Sequence, residues 1–155
     1  MIDINSRSTD SIAKGLSNFC NYTFYVDGIL CNSMEGWLQS LKFKDIHMQK
    51  YVCLMIGYKA KKYGRDYGED VYKTGMLYWM GKIYGRLSSS YQDLLDDAFS
   101  CLYLNITFRG ILFKSGSDIL MHSRGSNDIT KTILTVDEFC SRLTALRELR
   151  DEHNI

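Results

Sequence analysis

Glu35, Gln39 and Lys42 are a carboxylate, an amide and an amine at i, i+4 and i+7, the spacing that places side chains on one face of a helix. The indole of Trp37 stands beside them. Together they could grip and protonate a polar, ring-bearing substrate. A plainer reading stands next to this one. Glu35 follows Asn32 by three residues, which is capping-box spacing, and a Glu–Lys pair on a helix is commonly a solvated ion pair worth a few tenths of a kcal/mol. Both readings remain open from spacing alone.

These side chains need a helix to hold them, and the stretch from Asn32 to Phe43 supplies one. Asn32 or Ser33 can act as N-cap, and Trp37, Leu38, Leu41 and Phe43 give the apolar surface that holds the helix to a core. Upstream, Tyr22 to Leu30 alternates apolar residues around Asp27-Gly28, a strong hairpin signal. Asp45 caps a second expected helix, from about Ile46 to Met55. Tyr58 to Tyr63 reads as a short helical piece closed by Gly64, followed by a loop to Asp70. Leu77–Trp79 and Lys82–Tyr84 suit two short strands around Met80-Gly81.

Ser88 to Ser90 offer caps for a strongly amphipathic helix carrying Tyr91, Leu94, Leu95, Ala98, Phe99 and Leu102 on one stripe. Asn105 opens another helix that Gly116 ends. Asp118 to Ser123 suits a short strand, and Arg124 to Thr130 a polar loop. Thr135 and Glu138 form a capping box for the last helix. Residues 1–15 read as loosely ordered. The expected fold is therefore a single α+β domain over residues 1–155, mainly α-helical, with about six helices and one or two short β-hairpins.

Composition narrows the function classes. The chain has 155 residues, 45% hydrophobic and 24% charged, with a formal net charge of +1. That balance suits one globular domain and does not advertise broad, sequence-independent nucleic-acid binding. No window approaches the roughly 18 apolar residues of a membrane span, and the start lacks a signal-peptide layout, so a cytoplasmic location is the expectation. Five scattered cysteines without a C-x-x-C pair argue against disulfide and zinc frameworks, and the three histidines are not spaced for a metal. Proline is absent, and tyrosine, at 11 residues, suits a core or a cleft that stacks rings.

Leu16-Ser17-Asn18-Phe19, the Asp27-Gly28 turn, the set Ser33, Glu35, Trp37, Gln39, Lys42, Phe43 and the run Ala60-Lys61-Lys62-Tyr63-Gly64-Arg65 stand in an order that resembles the NADAR (YbiA-like) family. The resemblance covers most of the chain. Gly36 departs from the His common in that family at this place, and no Trp-Gly follows Asp128, the counterpart of its C-terminal motif aspartate. The segment around ILMHSRGSNDITK is similar to a phage and bacterial branch of the family.

The resemblance implies a mainly helical fold and cleavage of an N-glycosidic bond. The substrate would be a phosphorylated ribosyl or ADP-ribosyl small molecule, or an ADP-ribosylated guanine free or on DNA. No cofactor is expected, and the alternative is a module that binds such a nucleotide without cleaving it. Such a cleavage develops positive charge on the sugar and negative charge on the departing nitrogen. Glu35 could steady the cation or activate water, and Lys42 could donate a proton or attack C1′. Asp128 is the candidate second carboxylate. Asn18 and Gln39 offer hydrogen bonds, Phe19 and Trp37 ring contacts. Arg65, helped by Lys61, and Arg86 are the phosphate candidates, and His122 is a further substrate contact.

Overall fold

Ser33, Asp45, Ser88 and Asn105 each turn a side-chain oxygen onto backbone N–H groups of the helix that follows, so four of the helices begin where the capping residues place them. The computed structural model describes residues 1–153, with side chains to Arg150. In chain order the elements are β1 (Ile2–Asp3), α1 (Ser11–Gly15), β2 (Phe24–Val26), β3 (Ile29–Cys31), α2 (Met34–Ser40), α3 (Ile46–Cys53) and α4 (Gly57–Tyr67). There follow α5 (Val71–Thr74), β4 (Met76–Trp79), β5 (Lys82–Gly85), α6 (Ser89–Tyr103), α7 (Ile106–Lys114), β6 (Leu120–Met121) and α8 (Val136–His153).

The fold is α+β and mainly helical, as the patterning implies. Both expected hairpins are present: β2 pairs antiparallel with β3, and β4 with β5. Their tips have positive φ at both central residues, 50° and 78° at Asp27-Gly28 and 49° and 83° at Met80-Gly81. Such turns match the right-handed twist of the strands. The predicted capping box at the last helix also forms. The Thr135 N–H donates to Glu138 at 2.8 Å, and the Glu138 N–H donates back to the Thr135 hydroxyl at 3.0 Å.

Three expectations are corrected. Residues 1–15 are ordered: β1 pairs in parallel with β6, Ile2 opposite Leu120, and α1 is capped by Asp10. A two-residue parallel pairing between distant segments leaves no local sequence signal. Next, α4 does not end at Gly64 but runs on to Tyr67. A Cβ at Gly64 would overlap the Gln39 side-chain oxygen, so this glycine admits a neighbouring helix instead of stopping its own. The count of helices also rises, to eight among the described residues, because α1 and α5 are too short to show a period.

The core lies between α2, α6, α8 and the hairpins. Trp37 and Trp79 meet edge to face with centroids 5.8 Å apart, and Tyr91, Phe99, Phe108 and Phe139 are fully buried around them. The Trp79 indole N–H donates to the Asp27 carboxylate at 2.7 Å, which ties the two hairpins together.

Candidate functional site

A cavity of about 460 Å³ opens between α2, the start of α4, residues 5–7 and the segment 122–135 that joins β6 to α8. Glu35 enters it from the first turn of α2. Ser33 holds that turn: its hydroxyl accepts from the Gly36 N–H at 2.9 Å and donates to the Met55 carbonyl at 2.8 Å. Gly36 is required here, since a Cβ would stand 2.5 Å from the Met55 carbonyl oxygen. Glu35 does not cap its own helix, because the Asn32 N–H is already given to the Cys53 carbonyl at 2.9 Å. Its carboxylate instead accepts from the Gln39 amide at 2.8 Å, one helical turn along.

Burial pushes the Glu35 carboxyl up from the ordinary carboxylate value, and the Gln39 hydrogen bond, Lys61, Lys42 and His122 pull it back. Lys42, only 5% exposed, is pushed down by burial and held up by the charge of Glu35. Its ammonium lies 5.2 Å from the centroid of the Tyr72 ring, and Tyr72 rather than Lys42 lines the cavity. Burial and, next, the Glu35 charge push the Tyr72 phenol up as well.

Asn18, Phe19, Glu35, Gln39, Lys61 and His122 therefore share one cavity. Asn18 is fixed to α2 through its carbonyl, which accepts from the Glu35 N–H at 3.0 Å. Gln39 is buried, and its side-chain oxygen has no hydrogen-bond partner. His122 is held through Nδ1, 2.8 Å from the Ile4 carbonyl.

Other expected site residues lie elsewhere. Trp37 is 0% exposed and belongs to the core, because the apolar side of α2 and not its cavity side carries it. Arg86 is buried in an ion pair with Glu138, its two terminal nitrogens 3.1 and 2.7 Å from the carboxylate oxygens, so its fork is already occupied. Asp128 is outside the cavity: its carboxylate accepts from the Thr130 N–H at 2.9 Å and hydroxyl at 2.6 Å and lies 4.0 Å from Lys131, shaping the loop. Arg65 is exposed, 3.2 Å from Asp66 and 5.9 Å from the centroid of Tyr58, which is itself a lining residue.

Arg7, Arg124, Lys131 and Tyr72 line the cavity without having been anticipated. Arg7, Arg124 and Lys131 with Lys61 give four cations against Glu35, the one carboxylate among the lining side chains described. Arg124 and Lys131 sit at the two ends of a polar loop containing Gly125, Ser126 and Asn127, and their basic character was the available signal. Arg7 had none, since its position depends on the pairing of β1. Among the described residues no group of three or more His, Cys, Asp or Glu side chains could hold a metal ion, and no helix is long and apolar enough to cross a membrane.

The family model for bacteriophage protein GP30.3 matches residues 10–148. The uncharacterized 17.1 kDa protein in the Gp30-rIII intergenic region of Enterobacteria phage T4 is 36% identical over 136 residues, spanning 86% of this chain and 88% of that one. The NMR structure of the E. coli protein YbiA shares the fold with a TM-score of 0.62 at 20% identity, covering 99% of this chain and 89% of YbiA.

Proposed function

The chain belongs to the bacteriophage protein GP30.3 family, a NADAR-type family with the YbiA-like fold, and we propose that it hydrolyses the C1′–N bond of a phosphorylated ribosyl or ADP-ribosyl compound. The observation that carries this reading is a single partly buried carboxylate, Glu35, in a cavity otherwise ringed by cations. Anionic phosphates suit Arg7, Arg124 and Lys131, and a sugar turning cationic suits Glu35. A cavity of about 460 Å³ accommodates a nucleotide-sized ligand.

In this reading Glu35 faces C1′ and stabilises the oxocarbenium-like charge as the C1′–N electron pair withdraws onto nitrogen. Gln39 fixes the carboxylate's orientation through its amide hydrogen bond. Phe19 and Tyr58 line the cavity and in this reading cover a base or sugar ring and exclude water. Lys42, with its ammonium destabilised by burial, serves Glu35 and Tyr72 electrostatically; as proton donor or as attacking amine it would need Tyr72 to give way.

The second reading, a module that binds the nucleotide and leaves it intact, is favoured by one observation: Asp128 lies outside the cavity, so Glu35 has no second carboxylate to work with. One experiment separates the two. The purified protein is incubated with ADP-ribosylated guanosine and with a ribosylamino-pyrimidine phosphate, and products are followed by chromatography beside Glu35→Gln. Release of the free base or amine by the wild type and not by the variant supports hydrolysis. Calorimetric binding of ADP-ribose with no turnover of either substrate supports the binding module.

A further inference from the structure

His122 stands at the junction of two elements that sequence reasoning left apart. β6 ends at Met121, and β1 runs beside it, so the Ile4 carbonyl reaches the imidazole Nδ1 at 2.8 Å. A carbonyl only accepts, so Nδ1 carries the hydrogen and the lone pair of the neutral ring is on Nε2. Nε2 has no hydrogen-bond partner among the described residues, and the residue lines the cavity. The ring meets Phe139 edge-on, with centroids 5.5 Å apart and planes at 82°. Gly125 lies beside the Cδ2–Nε2 edge, and a Cβ there would come within 2.6 Å of Cδ2 and 3.2 Å of Nε2, so glycine is what leaves that edge uncrowded. An imidazole fixed in one tautomer, with no protein partner on its basic nitrogen and its residue lining a ligand-sized cavity, has the arrangement of a proton-transfer group and not of a histidine satisfied at both nitrogens.

We propose that His122 is the proton relay of the N-ribosyl cleavage, a role that rests on the hydrolase reading above. The oxygen of a water bonds to C1′ as the C1′–N bond breaks, and the water's proton passes to Nε2. The resulting imidazolium then gives that proton to the departing nitrogen and returns to its starting tautomer, so hydroxyl ends on the sugar and hydrogen on the base. Glu35 stays ionised throughout as the counter-charge of the sugar. Glu35 from α2 and Asp3 from β1 feel the charge of the ring, and Lys61 from α4 and Arg7, Arg124 and Lys131 from the flanking segments share its cavity.

His122→Asn tests the assignment, because the Asn amide can replace Nδ1–H toward the Ile4 carbonyl while removing the base. Turnover of ADP-ribosylated guanosine is expected to fall about 10²–10⁴-fold in kcat with KM little changed. The thermal midpoint should stay with the wild type. Nitrogen-15 NMR of the wild type should show Nδ1–H and a bare Nε2 that shifts on saturation with ADP-ribose. A variant retaining kcat within threefold, or a ring protonated on Nε2 in the neutral state, overturns the relay. If the wild type cleaves no N-ribosyl substrate while Nε2 is bare and responds to ADP-ribose, the hydrolase reading falls and His122 stands as a ligand-facing base. An unresponsive Nε2 overturns that as well.

Discussion

Replacing Arg86 with Met tests whether a buried ion pair holds the cationic wall of the cavity. The Arg86 guanidinium donates to Glu138 at 3.1 and 2.7 Å, and its Nε donates to the Thr132 carbonyl at 3.3 Å, within the wall itself. Their side chains are 8% and 14% exposed, so the 0–1 kcal/mol typical of surface pairs does not apply. Removing one partner of a buried pair costs about 3–5 kcal/mol, because the other charge is left uncompensated. Glu138 keeps Gln92 at 2.7 Å and the Thr135 N–H at 2.8 Å, which places the cost at the low end, about 3 kcal/mol. For a domain of this size that lowers Tm by roughly 10 °C. The double variant Arg86→Met/Glu138→Gln keeps an acceptor for Thr135 and leaves no lone charge, so it should recover part of the loss. Urea melts of the wild type, both single variants and the double variant measure the cycle. A cost below about 1 kcal/mol for Arg86→Met, or a double variant less stable than both singles, refutes the reasoning.

Three further outcomes are expected. Glu35 titrates above its ordinary value of 4.5 in the folded chain, so the folded state binds the extra proton and stability falls as pH rises from that value through the raised one; Glu35→Gln should match the wild type at pH 4 and exceed it at pH 7.5 in urea melts. Gly64→Ala should gain about 1 kcal/mol of helix propensity and lose about 2–3 to overpacking against Gln39, a net loss near 1–2, and a variant more stable than wild type would show that Gln39 yields freely. Thr135→Ala should cost about 1 kcal/mol and speed amide exchange at the Glu138 N–H, whose acceptor it removes; unchanged exchange there would count against the capping box.

Local signals were legible and long-range ones were not. The Asp-Gly and Met-Gly turns, the caps at Ser33, Asp45, Ser88 and Asn105, and the Thr135–Glu138 box all act within a few residues, and each appears where the sequence places it. Glu35 and Gln39 were legible together because i, i+4 spacing alone decides whether they can meet. Trp37 shared the stretch but not the face, and only the packing of Trp79 against it reveals that. Gly64 carries the same letter as a helix terminator, yet its role is set by a side chain on another helix. Arg7, Arg124 and Lys131 reach the cavity through irregular segments whose course depends on tertiary contacts, so no period marks them.

The pairing of residues 2–3 with 120–121 has a consequence for how the chain becomes competent during synthesis. Glu35 leaves the ribosome early, with its helix and caps complete in the local sequence. The opposite side of the hollow, from His122 to Leu134, emerges about a hundred residues later, and only then can Ile4 and Asp3 find their partners. Until that far side is made, Glu35 has no opposing wall, and the hollow can close around it only after residues 122–134 have emerged.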